Sequence, residues 1–299
     1  MQFFYSDTFN LNLPEGHRFP GHKYGLLRQA LIGEGVLTNR ALKRSPLVCD
    51  SDLARAHSPD YIAAIDTGSI DAAAMRRIGF PWSEHVALRA RATMGGAVAA
   101  ARAALRDGLS GQLAGGTHHA HFDFGSGYCV FNDFAVAALS LLENRHVDRI
   151  AIIDLDVHQG DGNAAILSPR KDVFVLSVHG EKNFPFRKVN SDLDIGLPDN
   201  IKDDAYLRAL HDALPAVWAF QPDLVLYQAG VDPLREDKLG RMALTHEGLS
   251  RRDHLVLSEC KSRGIPVSMA IGGGYADPIS ASVVAYANTY RIAKNLYGF

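Results

Sequence analysis

Short, continuously apolar runs alternate with amphipathic stretches along most of this chain. Five runs read as strands: Gln112 to Gly116, Arg149 to Asp154, Val173 to Val178, Leu224 to Ala229 and Pro266 to Ile271. Phe3 to Tyr5 is a candidate sixth. Apolar runs without apolar–polar alternation suit parallel strands covered on both faces. Helical patterns lie between them. Ser58-Pro59 reads as an N-cap with proline at N1, and Gly68 closes that helix. Ser83 caps a long Ala-rich helix ending near Gly108, and Asn132 or Asp133 starts another that runs to about Asn144. Further helices span Asp203 to Phe220, His246 to Arg263 and Pro278 to Leu296, with a kink or split expected at Pro215. No repeat, low-complexity segment or linker interrupts the pattern. It predicts one domain over residues 1–299: a three-layer α/β/α fold, its mainly parallel central sheet joined by right-handed crossovers.

Polar residues gather where these strands end. Asp154-Leu-Asp156-Val-His158 closes one, and in an extended chain positions two apart share a face. Carboxylates with an imidazole make a good ligand set for a zinc-like cation. Other strand ends carry Gly115-Gly-Thr-His118-His119, Gln228-Ala-Gly-Val-Asp232 and Gly272-Gly-Gly-Tyr275. Each has a plain alternative. Paired histidines after two glycines suit a polar loop. Asp232 before Pro233 suits a turn. Tyr275 could be a packed ring after a turn. The three glycines lack the Lys and Ser/Thr that complete a phosphate loop. Ligands of open parallel sheets bind beyond the carboxyl ends of the strands, so four such ends point to one site. His17, His22, His57, His85 and His121 read as structural or surface residues.

Composition removes several classes. Apolar residues are 47% and charged residues 21% of the 299, ordinary for a soluble globular protein. A net charge of −2 without a basic block gives no cause to expect nucleic acid or an anionic membrane as partner. No apolar run reaches spanning length, and the N-terminus lacks the pattern of a signal peptide. Cys49, Cys129 and Cys260 show no metal or redox spacing, as expected in a reducing cytoplasm. Oligomeric state is not legible.

The strand-end motifs, with Ala56-His-Ser-Pro-Asp-Tyr-Ile62 and Gly127-Tyr-Cys-Val-Phe-Asn-Asp133, resemble the zinc-dependent histone deacetylase family of the arginase/deacetylase fold. The similarity runs in order over almost the whole chain. Its nearest branch is class IV: Gln159 stands where many members have a second histidine, and Leu226 to Asp232 followed by Asp237-Lys-Leu-Gly240 fits that branch. Asp161 departs from it, since class IV relatives can carry Asn there.

The resemblance implies a ligand triad of Asp156, His158 and Asp232 for Zn2+, with Fe2+ or Mn2+ also compatible with such donors. It implies His119 as general base, His118 as its electrostatic partner, and Asp161 and Asp154 as their respective orienting carboxylates. Tyr275 becomes the oxyanion donor. Gly127, Tyr128 and Phe184 match the substrate tunnel, and Leu239 matches a residue at its base or side. A structural K+ would sit near Asp154, Ser177 and the Asp156–His158 run. The implied substrate is an Nε-acyl-lysine in a protein or peptide, and class IV suggests long fatty acyl groups. A small acylated amine such as an acetylpolyamine is the alternative; such sites add acidic groups at the mouth, and the sequence shows no obvious acidic cluster beyond Asp192 and Asp194 as candidates. An arginase-like binuclear site lacks the extra carboxylates. A non-catalytic acyl-lysine binder is the reading from another class.

Overall fold

The apolar runs come together in one sheet in the computed structural model, which describes residues 1–299. In chain order the strands are β1 (Phe3–Tyr5), β2 (Leu42–Arg44), β3 (Leu109–Gln112), β4 (Ile150–Asp154), β5 (Val173–Gly180), β6 (Leu193–Leu197), β7 (Leu224–Gly230) and β8 (Val267–Gly272). They lie in the order β2-β1-β3-β8-β7-β4-β5-β6, and every pairing is parallel. The sheet is wholly parallel, and β4, β7 and β8 are buried along their full length.

The helices are α1 (Lys23–Gly33), α2 (Asp50–Leu53), α3 (Pro59–Thr67), α4 (Ala72–Ile78), α5 (Glu84–Asp107), α6 (Asp133–Glu143), α7 (Asp161–Leu167), α8 (Asp203–Ala219), α9 (His246–Ser262) and α10 (Ser280–Tyr297). α5 packs on α6, while α8, α9, α10 and α1 pack in series. These groups form the outer layers of the expected α/β/α arrangement. The caps read from sequence are made: Ser58, Ser83 and Asn132 accept from Tyr61, Val86 and Ala135 backbone N–H groups. Gly68 and Gly108 close their helices in the left-handed conformation.

Helices α1, α2, α4 and α7 were not among those expected, and four further details differ from the pattern. β3 spans Leu109–Gln112, so it ends where the predicted run begins. Asp133 captures the N–H groups of Gly116 and Thr117, drawing the chain out of the ladder. β2 and β6 went unpredicted because both are short edge strands without a buried apolar run. Helix α8 passes through Pro215 unbroken. Pro215 and His211, whose carbonyl loses its intrahelical bond, both face solvent, so the missing bond leaves no buried acceptor unpaired. Finally, β4 stops at Asp154, so Asp156 and His158 lie in a bend and not on the strand face. Asp154 and Asp156 side chains accept from the backbone N–H two residues on, and that turns the chain.

Register aligns Gln112, Ala270, Gln228, Asp154 and Ser177 across β3, β8, β7, β4 and β5. This row marks where the apolar core gives way to polar groups. Because all strands run the same way, every loop beyond it opens on one edge of the sheet.

Candidate active site

That edge holds a pocket of about 480 Å3 lined by His118, His119, Asp156, His158, Asp232, Tyr275, Tyr128 and Phe184. The loops after β3, β4, β7 and β8 all contribute, as the four strand-end motifs predict.

At its floor, His158 Nδ1 lies 3.0 Å from Asp156 Oδ1 and 3.1 Å from Asp232 Oδ2. One donor atom from each residue falls within 4.8 Å of the others. Both carboxylates are buried, with Asp232 fully so. Glycines give them room: a Cβ on Gly273 would stand 2.2 Å from Asp232 Cγ, and one on Gly230 2.8 Å from Asp156 Oδ2. Burial and repulsion from Asp156 push Asp232 up to about 7. Burial would raise Asp156 too, but His118 and His158 beside it hold it far below the carboxylate range. Two adjacent buried carboxylates without a cation are costly, and two oxygens and a nitrogen that converge suit a divalent metal with a position left open. The donor set therefore fits the expected ion.

His118 and His119 stand beside this cluster with ring centroids 4.1 Å apart. His118 Nδ1 is 2.7 Å from Asp154 Oδ2, and His119 Nδ1 is 2.6 Å from Asp161 Oδ1. These are the partners predicted. The two rings titrate in opposite directions. Burial opposes charge on His118, yet Asp154 and Asp156 carry it up to about 9. Burial, and then the neighbouring His118, bring His119 down to about 4. One neutral and one cationic ring is the arrangement that like-charge repulsion favours.

Tyr275 follows two glycines in the left-handed region, Gly273 and Gly274. Its N–H donates to Asp237 Oδ2 at 2.7 Å, and burial keeps its hydroxyl well above the usual tyrosine range, hence protonated. Tyr128 is itself left-handed, with φ 64°, which turns its ring into the pocket. Phe184 meets His119 edge-on at 4.9 Å, and Gly127 lies where a side chain would strike His119. Leu239 is 45% exposed, so it belongs to the side of the mouth and not the base. Ser177 neighbours Asp154 in register, and its hydroxyl also meets His179 Nδ1 at 2.9 Å. Asp192 and Asp194 are not at the mouth: they accept from Val175 and Ser191 N–H groups beside β6. Gln159 is buried and stitches Val189 and Asp194.

Sequence reading missed three supports. His121 is no bystander: its Nε2 lies 3.1 Å from the second oxygen of Asp161. Asp237 accepts from Tyr275, Leu239 and Gly240 N–H groups, bracing two loops. Lys23 is buried, donates to the Gly273 and Gly274 carbonyls, and sits 4.5 Å from the Tyr275 ring centroid. Burial brings its amine down to about 8. Asp237 beside the Leu239-Gly240 turn carried a signal; Lys23 carried none. His57 is structural as expected, bonded to the His121 carbonyl and the Asn132 N–H.

Residues 17–290 match the histone deacetylase domain family. An uncharacterized protein of Picosynechococcus sp. is 43% identical, covering 98% of each chain. Histone deacetylase 2 of Arabidopsis thaliana is 29% identical, with 94% of this chain aligned to 76% of that one. The crystal structure of the HDA15 HD domain matches with a TM-score of 0.84 at 23% identity, over 99% of this chain and 88% of the other, which shows the shared fold. By this match over most of its length, the chain belongs to the histone deacetylase family.

Proposed function

We propose that residues 1–299 act as one metal-dependent catalytic domain that removes acyl groups from Nε-acyl-lysine. The observation that carries this is the convergence of a buried Asp156–His158–Asp232 cluster, an oriented histidine pair and Tyr275 in one pocket. Asp156, His158 and Asp232 would hold the ion: Zn2+ in this reading, with Fe2+ or Mn2+ suited to the same donors. When bound, such an ion supplies Lewis acidity toward a carbonyl and makes water more acidic.

The rest falls to the chain's own groups. Acylation removes the lysine charge, so the stem can lie between the Tyr128 and Phe184 rings, which exclude water. His119, neutral and held through Nδ1 by Asp161, accepts the proton of the attacking water at Nε2 and returns it to the leaving amine. His118, held by Asp154, contributes positive charge beside the developing oxyanion. Tyr275 donates its hydroxyl to that oxygen. Asp154 with Ser177, Asp156 and His158 backbone groups would hold a structural K+. Gln159 supports the class IV affinity, and the three free cysteines suit a cytoplasmic setting. No helix is long and apolar enough to cross a membrane.

A longer, fatty acyl group is the second reading. The observation that bears on it is a small, mostly apolar cavity of about 50 Å3, room for a few carbons of added chain, which is lined by Phe19, Phe80, Met94 and Phe131 and shares Tyr128 with the pocket. A rate series from acetyl- to myristoyl-lysine peptides separates the two readings, and full turnover after complete chelation would contradict both.

A further inference from the structure

The deacylase reading leaves open what surrounds the acyl-lysine, and the rim of the pocket bears on this. Three cations line it, Arg77, Lys182 and Arg241, and all are exposed. The only carboxylates in the pocket lining are Asp156 and Asp232, at the floor. Arg241 pairs with Asp199, and Lys238 nearby is matched by Asp277 at 2.6 Å. Arg77 and Lys182 pair with no carboxylate. Glu181, next to Lys182, packs toward Gly196 of β6.

These cations stand on braced backbone. Asn183 donates to the Leu239 carbonyl at 2.9 Å and accepts from Arg241 N–H at 3.3 Å, joining the segments that carry Lys182 and Arg241. Lys188 donates to the Asn183 and Pro185 carbonyls, both at 2.6 Å. The Arg77 carbonyl accepts from Gly127 N–H at 3.3 Å, and its guanidinium lies 4.9 Å from the Phe124 ring centroid. Phe186 projects from the same rim, 85% exposed.

A cationic rim repels a second ammonium, so it disfavours acetylpolyamines and lysine-rich tails alike. We propose that the rim selects acyl-lysines set in acidic peptide segments, whose Asp or Glu side chains meet Lys182, Arg77 and Arg241. This inference rests on the deacylase reading for its chemistry, though not for its binding preference.

The test uses three acetyl-lysine peptides that differ only in flanking residues, Glu, Gln or Lys, together with N-acetylspermidine. The Glu-flanked peptide should exceed the Lys-flanked one in kcat/KM by about tenfold, mainly through KM, as a few exposed charge pairs allow. In about 0.5 M salt the preference should shrink. The double variant Arg77→Glu/Lys182→Glu should reverse it, with a circular-dichroism melt to verify folding. Equal kcat/KM for all peptides, or preference for the Lys-flanked peptide or N-acetylspermidine, overturns the inference and leaves the deacylase reading standing. If nothing is hydrolysed, that reading falls, and fluorescence anisotropy of the labelled peptides decides the inference. Tighter binding of the Glu-flanked peptide upholds it, and equal or weaker binding overturns it.

Discussion

The Nδ1 atom of His119 lies 2.6 Å from Oδ1 of Asp161, which fixes the ring so that Nε2 faces the pocket. Burial would raise Asp161, but its bonds to His119 and His121 keep it below the ordinary carboxylate range. It therefore remains an acceptor at neutral pH. Asp161→Asn should lower kcat by about 10–100-fold with little change in KM, the usual cost of losing an orienting partner. His119→Ala should lower kcat by about 10²–10⁴-fold. Because both act through one imidazole, the double variant should be no slower than His119→Ala. Additive losses in steady-state kinetics would place Asp161 in a separate role.

Tyr275→Phe removes one hydroxyl and keeps the N–H bond to Asp237. Metal content and melting temperature should match the parent, while kcat falls by about 10²–10³-fold. Undiminished turnover would remove Tyr275 from the oxyanion role.

Gly273→Ala probes the carboxylate cradle. The new Cβ would meet Asp232 at 2.2 Å in backbone with φ 62°, which a side chain seldom adopts. Asp232 must move, so metal affinity should fall by about 10–100-fold, an effect typical of a displaced ligand shell. Metal content after dialysis checks this, and parental affinity would mean that the cradle yields at no cost.

His57 gives a stability signature unrelated to catalysis. It is fully buried, and burial brings its folded value down to about 4 from the ordinary 6.5. Below pH 6.5 the unfolded chain takes up this proton first, so stability falls as pH drops from 6.5 to 4. Above that window His57 adds no pH dependence. The loss should approach about 3 kcal/mol, since each tenfold weakening of proton affinity on folding costs about 1.4 kcal/mol. Urea unfolding across the window measures it, and His57→Gln should flatten the slope. An unchanged slope would assign the acid lability elsewhere.

Much of this site was legible because its chemistry sits at strand ends. His118, His119, Asp156, His158, Asp232 and Tyr275 each follow an apolar run, and a parallel sheet brings such ends to one edge. What stayed hidden lacked a local signature. Lys23 lies on α1, 250 residues from the Gly273 carbonyl it holds, and nothing in its neighbourhood distinguishes it from a solvated lysine. Arg77 sits in the last turn of α4 and Lys182 and Arg241 come from two separate loops, so no charge run announces the rim. The short edge strands β2 and β6 carry no buried pattern, which also left Asp192 and Asp194 as candidates for the mouth. Pro215 does not split α8 because it lies on the face that meets water, which propensity cannot show.

The most direct test is a metal titration. The purified protein is stripped by chelation, and Zn2+ is added back while bound metal and acetyl-lysine turnover are followed in the same samples. Turnover should rise in proportion to bound metal and level off at about one ion per chain, as one three-residue ligand set implies, and Asp232→Ala should show neither binding nor turnover. Full turnover at zero bound metal, or an Asp232→Ala variant that binds and turns over like the parent, would contradict the account.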